Sequence, residues 1–410
     1  MMDFNEMKTK ARAYLRYLCI ELPTRQVGSQ GNQSATDFFA RTTSSFGFLV
    51  DNPAFACLDW TEEGATLTVS GAPFDVFPSP YSLGCQVRAP LAAASTVDEL
   101  ETADLERKIV LLRGELTKEQ LMPKYFPFYN PEEHQRILGS LEAKKPIAII
   151  AATSHNPELA GGVYPFPLIE DGDFDIPSVF MTEEQGRRLA AQVGEEAVLE
   201  SKAWRIPSSG CNVTASKMAE APRRIVLTAH IDSKRGTPGA LDNASGVVVL
   251  LLLAELLEDF QGRLGIEIVA LNGEDYYAAP GEIHYLQMNQ GKLDRILLNI
   301  NLDAVGYTQG DTAYSLYECP GDLADLIRNA LSASPGMVEG DQWYQGDHMV
   351  FVQNGVPALA ITSSGLMALM VDITHTSRDT PDLVDPARLA DVALALHELL
   401  RELDGGDATI

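Results

Sequence analysis

The longest unbroken apolar run in the chain, Val247 to Ala254, reads VVVLLLLA. It is far too short to cross a bilayer, which takes about 20 apolar residues, and it has no polar stripe to turn toward water. A helix of this kind, read here over Val247–Phe260, has to be enclosed by other layers of the fold. Its neighbours in sequence supply those layers. From Ala221 onward, short apolar strands at Arg224–Ala229, Gly265–Leu271, Ile296–Leu302 and Ala358–Thr362 alternate with helical stretches. Such an alternation builds an α/β fold, a mixed and mostly parallel sheet with helices on both faces.

The rest of the chain has a different texture. Its 410 residues are too many for one ordinary domain, so two domains, or one carrying an insertion, is the expectation. Residues 1–50 read as helix, loop, helix, with the loop around Gly28, Ser29, Gly31 and Asn32 and an apolar-periodic stretch through Phe38, Phe39 and Phe46. From Asp59 to Lys202, short β-type runs such as TLTVS, KIVLLRG, PIAIIAAT and PSVFM alternate with Pro- and Gly-rich loops. Two of these loops, Pro123–Tyr129 and Gly161–Phe174, are aromatic and are expected to pack onto their own domain. The division drawn is a discontinuous domain of residues 1–58 and 203–410, with residues 59–202 as a β-rich insertion.

The formal net charge is −26. A field of that sign repels nucleic acid and anionic lipid, so neither is expected as a partner. The first residues mix acids, bases and apolar groups, which describes an amphipathic helix and not a signal peptide. Five widely spaced cysteines, Cys19, Cys57, Cys85, Cys211 and Cys319, show no C-x-x-C spacing and read as reduced thiols. A cytoplasmic location is expected as the sequence stands, and a secreted one if a leader has been removed.

In open α/β sheets, ligands bind beyond the carboxyl ends of the strands. The first strand here runs into Ala229-His230-Ile231-Asp232, the next into Asn272-Gly273-Glu274-Asp275, and the third into Asn301-Leu302-Asp303. Leu241-Asp242-Asn243-Ala244-Ser245-Gly246 opens the apolar helix, and Thr374-His375-Thr376-Ser377-Arg378-Asp379 follows the last strand. Two histidines and at least four carboxylates thus converge on one rim, with Arg378 the one cationic residue in these motifs. Carboxylates gathered this closely repel one another unless they are protonated or hold cations. Nitrogen and oxygen donors without cysteine suit Zn2+, with Mn2+ or Co2+ as substitutes. The other histidines, His134, His155, His284 and His397, have no partner at ligand spacing and are read as surface or packed residues.

These motifs resemble the di-zinc aminopeptidases, a family that also holds glutamate carboxypeptidase and the glutaminyl cyclases. The pattern H-x-D, G-A-x-D-N-x-S-G, an acidic pair, N-x-D-x-x-G and H-T-x-x-D-T reads AHID, GALDNASG, NGED, NLDAVG and HTSRDT in this chain. Asp347-His348 with Phe351, Gly355 and Pro357 resembles a further stretch of those enzymes. ERKIVLLRG and DIPSVFMTEEQGRRL resemble the protease-associated domain that many members carry as an insertion. The resemblance implies two Zn2+ ions, with His230 and Asp303 on one, Asp275 and His375 on the other, and Asp242 bridging. It implies Glu274 as general base and Asp232 as the hydrogen-bond partner that fixes the His230 tautomer. The activity implied is exopeptidase action on peptides, with an aminopeptidase foremost; oligomeric state stays open.

The chain departs from the common pattern at two points. The acidic pair is Glu-Asp where Glu-Glu is commoner, and Thr374 stands where several relatives have an oxyanion-stabilising tyrosine. Tyr307, Tyr344 and His348 are the candidates to replace that tyrosine. Arg378 is expected to pair with Asp379 or Asp382. A carboxypeptidase, a one-zinc glutaminyl cyclase and a non-catalytic receptor-like relative are the alternatives, although every ligand position holds a competent donor.

Overall fold

The computed structural model describes residues 3–22, 24–156 and 160–406. The chain divides into two units, Met1–Cys57 with Ser209–Ile410, and Leu58–Ser208. The first unit runs through α1 (Phe4–Arg16), α2 (Gln30–Ser45), β1 (Leu49–Asp51), β2 (Val213–Lys217), β3 (Arg224–His230) and α3 (Ser245–Leu256). It continues with β4 (Gly265–Leu271), α4 (Pro280–Met288), β5 (Ile296–Leu302), β6 (Thr312–Tyr317), α5 (Gly321–Ser332) and β7 (Met337–Glu339). The last elements are α6 (His348–Val352), β8 (Ala358–Ser363), α7 (Leu366–Asp372) and α8 (Pro386–Gly405).

The eight strands lie in the order β1-β2-β4-β3-β5-β8-β6-β7. The four central ones, β4, β3, β5 and β8, are mutually parallel, and β2 and β6 flank them antiparallel. Every residue of β5 is buried, as a strand covered on both faces requires. On one face, Ile225, Leu227, Ala229, Ile268, Leu298, Ile300 and Leu359 meet the apolar sides of α1, α2, α3, α5 and α8. On the other, Thr228, Asn299 and Asn301 are buried and hydrogen-bonded to one another, and α6 lies against β5 and β8. The sheet is thus mixed, mostly parallel and covered by helices on both sides.

The apolar run sits where its composition demands. All residues from Val247 to Ala254 are fully buried within α3. At about 1.5–3 kcal/mol per large side chain, the burial of Val247 to Leu253 contributes on the order of 10–20 kcal/mol gross, before conformational entropy is charged against it. The helix starts two residues earlier than the apolar pattern suggests and stops at Leu256, short of Phe260, because the chain tightens into turns with Glu258 N–H on Glu255 C=O and Phe260 N–H on Leu257 C=O. No helix among the described residues is long and apolar enough to cross a membrane.

In the second unit, four parallel strands (Cys85–Ala94, Ile109–Leu112, Ala148–Thr153, Ser178–Thr182) form the middle of another sheet. It is less purely β than its sequence texture suggests. Helices at Val97–Thr102, Glu132–Lys144 and Glu183–Ala190 pack on the strands, the second through Ile137, Leu138 and Leu141. Of the two aromatic loops, Gly161–Phe174 buries Phe166 and Phe174 in its own unit, whereas Tyr125 and Tyr129 of Pro123–Tyr129 are exposed.

Candidate metal centre

The parallel strands end at one level, with His230 paired to Leu271 across β3 and β4, and Leu302 to Ile361 across β5 and β8. Whatever follows those ends is therefore delivered to one rim. His230 closes β3, Glu274 and Asp275 follow β4 after Asn272-Gly273, Asp303 follows β5, Asp242 lies in the turn opening α3, and His375 lies in the turn after α7.

Asp242 divides its carboxylate between two histidines. Its Oδ1 lies 3.1 Å from His230 Nε2, and its Oδ2 lies 3.1 Å from His375 Nε2. Asp303 Oδ1 stands 3.8 Å from His230 Nε2, and Asp275 Oδ1 stands 3.0 Å from His375 Nε2. Two donor triads result, His230–Asp242–Asp303 and Asp242–Asp275–His375, sharing one aspartate. Two ligands held tetrahedrally by a zinc ion lie about 3.3–3.4 Å apart, from bond lengths of about 2.0–2.1 Å. The observed separations scatter around that value. The Nε2 of His230, which faces Asp242 and Asp303, is buried and makes no hydrogen bond, which is costly unless it has another partner. Donor types, spacing and the orphaned imidazole all fit a pair of zinc ions.

The acids crowd one another. Burial pushes Glu274 well above the usual carboxylate range, and the charges of Asp275, Asp303 and Asp242 add to the push while His230 opposes it. Burial likewise raises Asp303. Burial alone would pull His230 down, but Glu274 and the three nearby aspartates lift it well above its ordinary value. The site opens toward one side, since the His230 side chain is 1% exposed, that of Glu274 25% and that of His375 43%. Glu274 Oε2 lies 4.0 Å from His230 Nε2 and belongs to neither triad.

Asp232 departs from its expected part. Its Oδ1 stands 3.7 Å from His230 Nδ1, beyond hydrogen-bonding reach. Its carboxylate instead accepts the backbone N–H groups of Gly273 (2.8 Å) and Asp275 (3.1 Å), clamping the turn that presents Glu274 and Asp275. Those amides sit just past the end of β4 and are buried, so they need an acceptor.

Asp379 holds the neighbouring turn the same way. Its carboxylate accepts from Leu241 N–H (2.7 Å) and Asp242 N–H (3.0 Å), and burial followed by the charge of Asp242 moves it up to about 6. It is therefore not the partner of Arg378, which is exposed, and Asp382 accepts from the Thr380 hydroxyl. Asn243 donates to Leu302 C=O and accepts from Gly246 N–H, and Ser245 donates to Leu241 C=O while accepting from Val305 N–H. The turn bearing Asp242 is thus tied to the one bearing Asp303. The peptide bond between Asp242 and Asn243 is cis.

Of the candidates to stand in for the missing tyrosine, His348 is buried, with Nε2 3.0 Å from the Trp343 carbonyl, and burial draws it down to about 4. Tyr344 is exposed and donates to Gln342, while Tyr307 pairs through its backbone with Val384. Two buried carboxyl groups carried no assigned part in the sequence reading. Burial and the charge of Asp232 push Glu282 up to about 7, and burial and Glu282 push Asp347 well up.

Residues 212–400 match the family model described as Peptidase family M28. Over 286 residues the chain is 26% identical to the probable lipoprotein aminopeptidase LpqL of Mycobacterium tuberculosis, which covers 68% of this chain and 54% of that protein. It is 32% identical over 154 residues to aminopeptidase YwaD of Bacillus subtilis, covering 37% of this chain and 33% of that protein. The chain therefore spans about half the length, or less, of these curated relatives. Its fold is similar to the solved structure of BSAP, described as a zinc aminopeptidase from Bacillus subtilis, with a TM-score of 0.75 at 22% identity over 98% of this chain and 96% of that one. At that identity the structural likeness speaks for the fold alone.

Proposed function

We propose that the chain, whose residues 212–400 match the model described as Peptidase family M28, is a zinc-dependent exopeptidase that removes unblocked amino-terminal residues from peptides. The observation that carries the reading is the single carboxylate of Asp242 facing two histidine-containing triads. His230 and Asp303 would hold one ion, Asp275 and His375 the other, and Asp242 would touch both. Bound there, the ions would polarise the scissile carbonyl and lower the pKa of a water molecule.

The remaining work falls to Glu274. It lies beside the triads without belonging to them, and its side chain is partly open to solvent. In this reading Glu274 Oε2 accepts a proton from the attacking water and later delivers it to the nitrogen of the leaving amine. Asp232 and Asp379 act by holding the turns that carry Glu274, Asp275 and Asp242.

The end of the peptide that is read follows from charge. A terminal group loses hydration on entering the site and recovers that cost only by pairing. Carboxylates in excess suit an α-ammonium group, whereas a terminal carboxylate needs arginine or lysine, and Arg378 is the one such residue in the site motifs. For the unit Leu58–Ser208, the resemblance of ERKIVLLRG and DIPSVFMTEEQGRRL supports a protease-associated-like module. The test compares a free aminoacyl anilide, its N-acetyl form and a dipeptide amidated at its carboxyl end. Cleavage of the first and the amidated dipeptide, with the acetylated form resistant, is expected. Equal rates on free and acetylated substrates would sink the aminopeptidase reading, and loss on amidation alone would move the assignment to a carboxypeptidase.

A further inference from the structure

Arg25 is a fully buried arginine that donates four hydrogen bonds to backbone carbonyls. Its Nε donates to Ile231 C=O (3.1 Å), Nη1 to Leu18 C=O (2.7 Å) and Pro238 C=O (2.9 Å), and Nη2 to Gly239 C=O (2.8 Å). Ile231 follows the ligand His230, and Pro238-Gly239 lead into the turn that carries Asp242. One guanidinium plane therefore spans the two loops that deliver His230 and Asp242. Gly239 is shaped for the approach. Its φ is +59°, and a Cβ there would stand 2.7 Å from Arg25 Nη2 and 2.6 Å from Asp242 O.

Seven residues on, Asn32 makes the corresponding contact with the third loop. Its side chain exchanges two hydrogen bonds with Asn272 (2.8 and 3.0 Å), the residue two before Glu274, and donates a third to Arg25 C=O (3.0 Å). Gly31 permits the packing, since a Cβ there would stand 1.8 Å from Thr24 O. Both Asn32 and Asn272 are buried. Asp379 also accepts a hydrogen bond from the Asp242 N–H.

We propose that Arg25 and Asn32, which lie outside the M28 match, are positioning residues for the metal centre, a brace that sets the spacing of the His230, Asp242 and Glu274–Asp275 loops. The inference rests on the two-ion reading of the site. A brace made for the amino-terminal segment's own sake would spend its donors on that segment; here three of the four guanidinium bonds go to the ligand loops. The rigid fork explains why arginine serves, because a lysine offers a single nitrogen to carbonyls that lie on different loops.

The test measures Zn2+ affinity of the full chain by competition with a chromogenic chelator, together with the visible absorption of the Co2+-loaded protein, for wild type, Arg25→Lys and Asn32→Ala. Far-UV circular dichroism of the metal-free proteins is recorded alongside. Removal of groups that orient metal ligands typically costs about 10–100-fold in affinity. The expected result is two ions in the wild type, folded metal-free variants, a loss of that size in Arg25→Lys with an altered Co2+ spectrum, and a weaker ion in Asn32→Ala. Wild-type affinity in a folded Arg25→Lys protein would overturn the brace. So would unfolding of metal-free Arg25→Lys under conditions where metal-free wild type is folded, because Arg25 would then serve the fold. A wild-type protein that takes up no zinc would instead remove the metal-centre reading, and the brace with it.

Discussion

Asp232→Asn separates two ways in which a carboxylate beside His230 can act. If it served through the imidazole, the loss would fall on the ion held by His230 and Asp303. The distances point elsewhere, with 3.7 Å to His230 Nδ1 against 2.8 and 3.1 Å to the amides of Gly273 and Asp275. Asparagine keeps the shape but offers one acceptor where aspartate offers two, and its amide nitrogen then faces a buried N–H. A hydrogen bond to a charged acceptor contributes about 1.5–3 kcal/mol, and a stranded buried N–H costs about 1–3 kcal/mol; because these overlap, about 2–4 kcal/mol is expected. Expressed wholly as loosening of the Gly273–Asp275 turn, that weakens the ion on Asp275 and His375 by roughly 30- to 1000-fold. The assay is a Zn2+ titration of four proteins: wild type, Asp232→Asn, His375→Ala and the double variant. His375→Ala leaves the His230–Asp303 site, so adding Asp232→Asn to it should cost little. A further loss of tenfold or more in the double variant would refute the clamp and restore the imidazole partnership.

Other consequences are as direct. Glu274→Ala should keep the fold and its zinc while turnover falls by roughly 10²–10⁴-fold, and near-normal turnover would remove Glu274 from its part. His348 is held at about 4 in the folded chain against about 6.5 unfolded. Between those values the unfolded chain binds more protons, so stability is lost as pH falls from about 6.5 toward 4, by about 2 kcal/mol between pH 7 and pH 5. Urea unfolding of chelator-treated protein should show that His348→Gln lacks this part of the pH dependence; identical profiles would count against it. Replacing Leu58–Ser208 by a short linker should leave a cooperatively unfolding first unit, because its hydrophobic core draws on residues outside that segment. A chain without cooperative unfolding would show the two units to be interdependent.

The parts of the fold most legible in the sequence were those whose apolar pattern is continuous. Gly265–Leu271 and Ile296–Leu302 are read residue for residue because each is a short buried run bounded by polar turns. The residues at those strand ends adjoin one another because parallel strands in register deliver their following residues to one rim. The helix Glu132–Lys144 went unread although His134, Ile137, Leu138 and Leu141 recur at helical spacing, because it follows a Pro- and aromatic-rich loop. Arg25 carries no local signal: three of its four carbonyl partners lie more than two hundred residues away, and a carbonyl has no sequence signature. Asp232 was readable as a site residue but not for its contacts, since its neighbour in sequence is not its hydrogen-bond partner. Asn243 and Ser245 lie inside the quoted motif, where their type signals a locked turn and only the structure says which loops are locked.

The proposed sharing of Asp242 by two ions is tested most directly by titrating metal-free protein with Zn2+ while following both bound metal and hydrolysis of free aminoacyl anilides. The expected result is uptake of two ions per chain, with turnover still rising into the second equivalent, and loss of at least one ion in Asp242→Ala. Saturation at one tightly held zinc, or zinc uptake indifferent to Asp242→Ala, would contradict it.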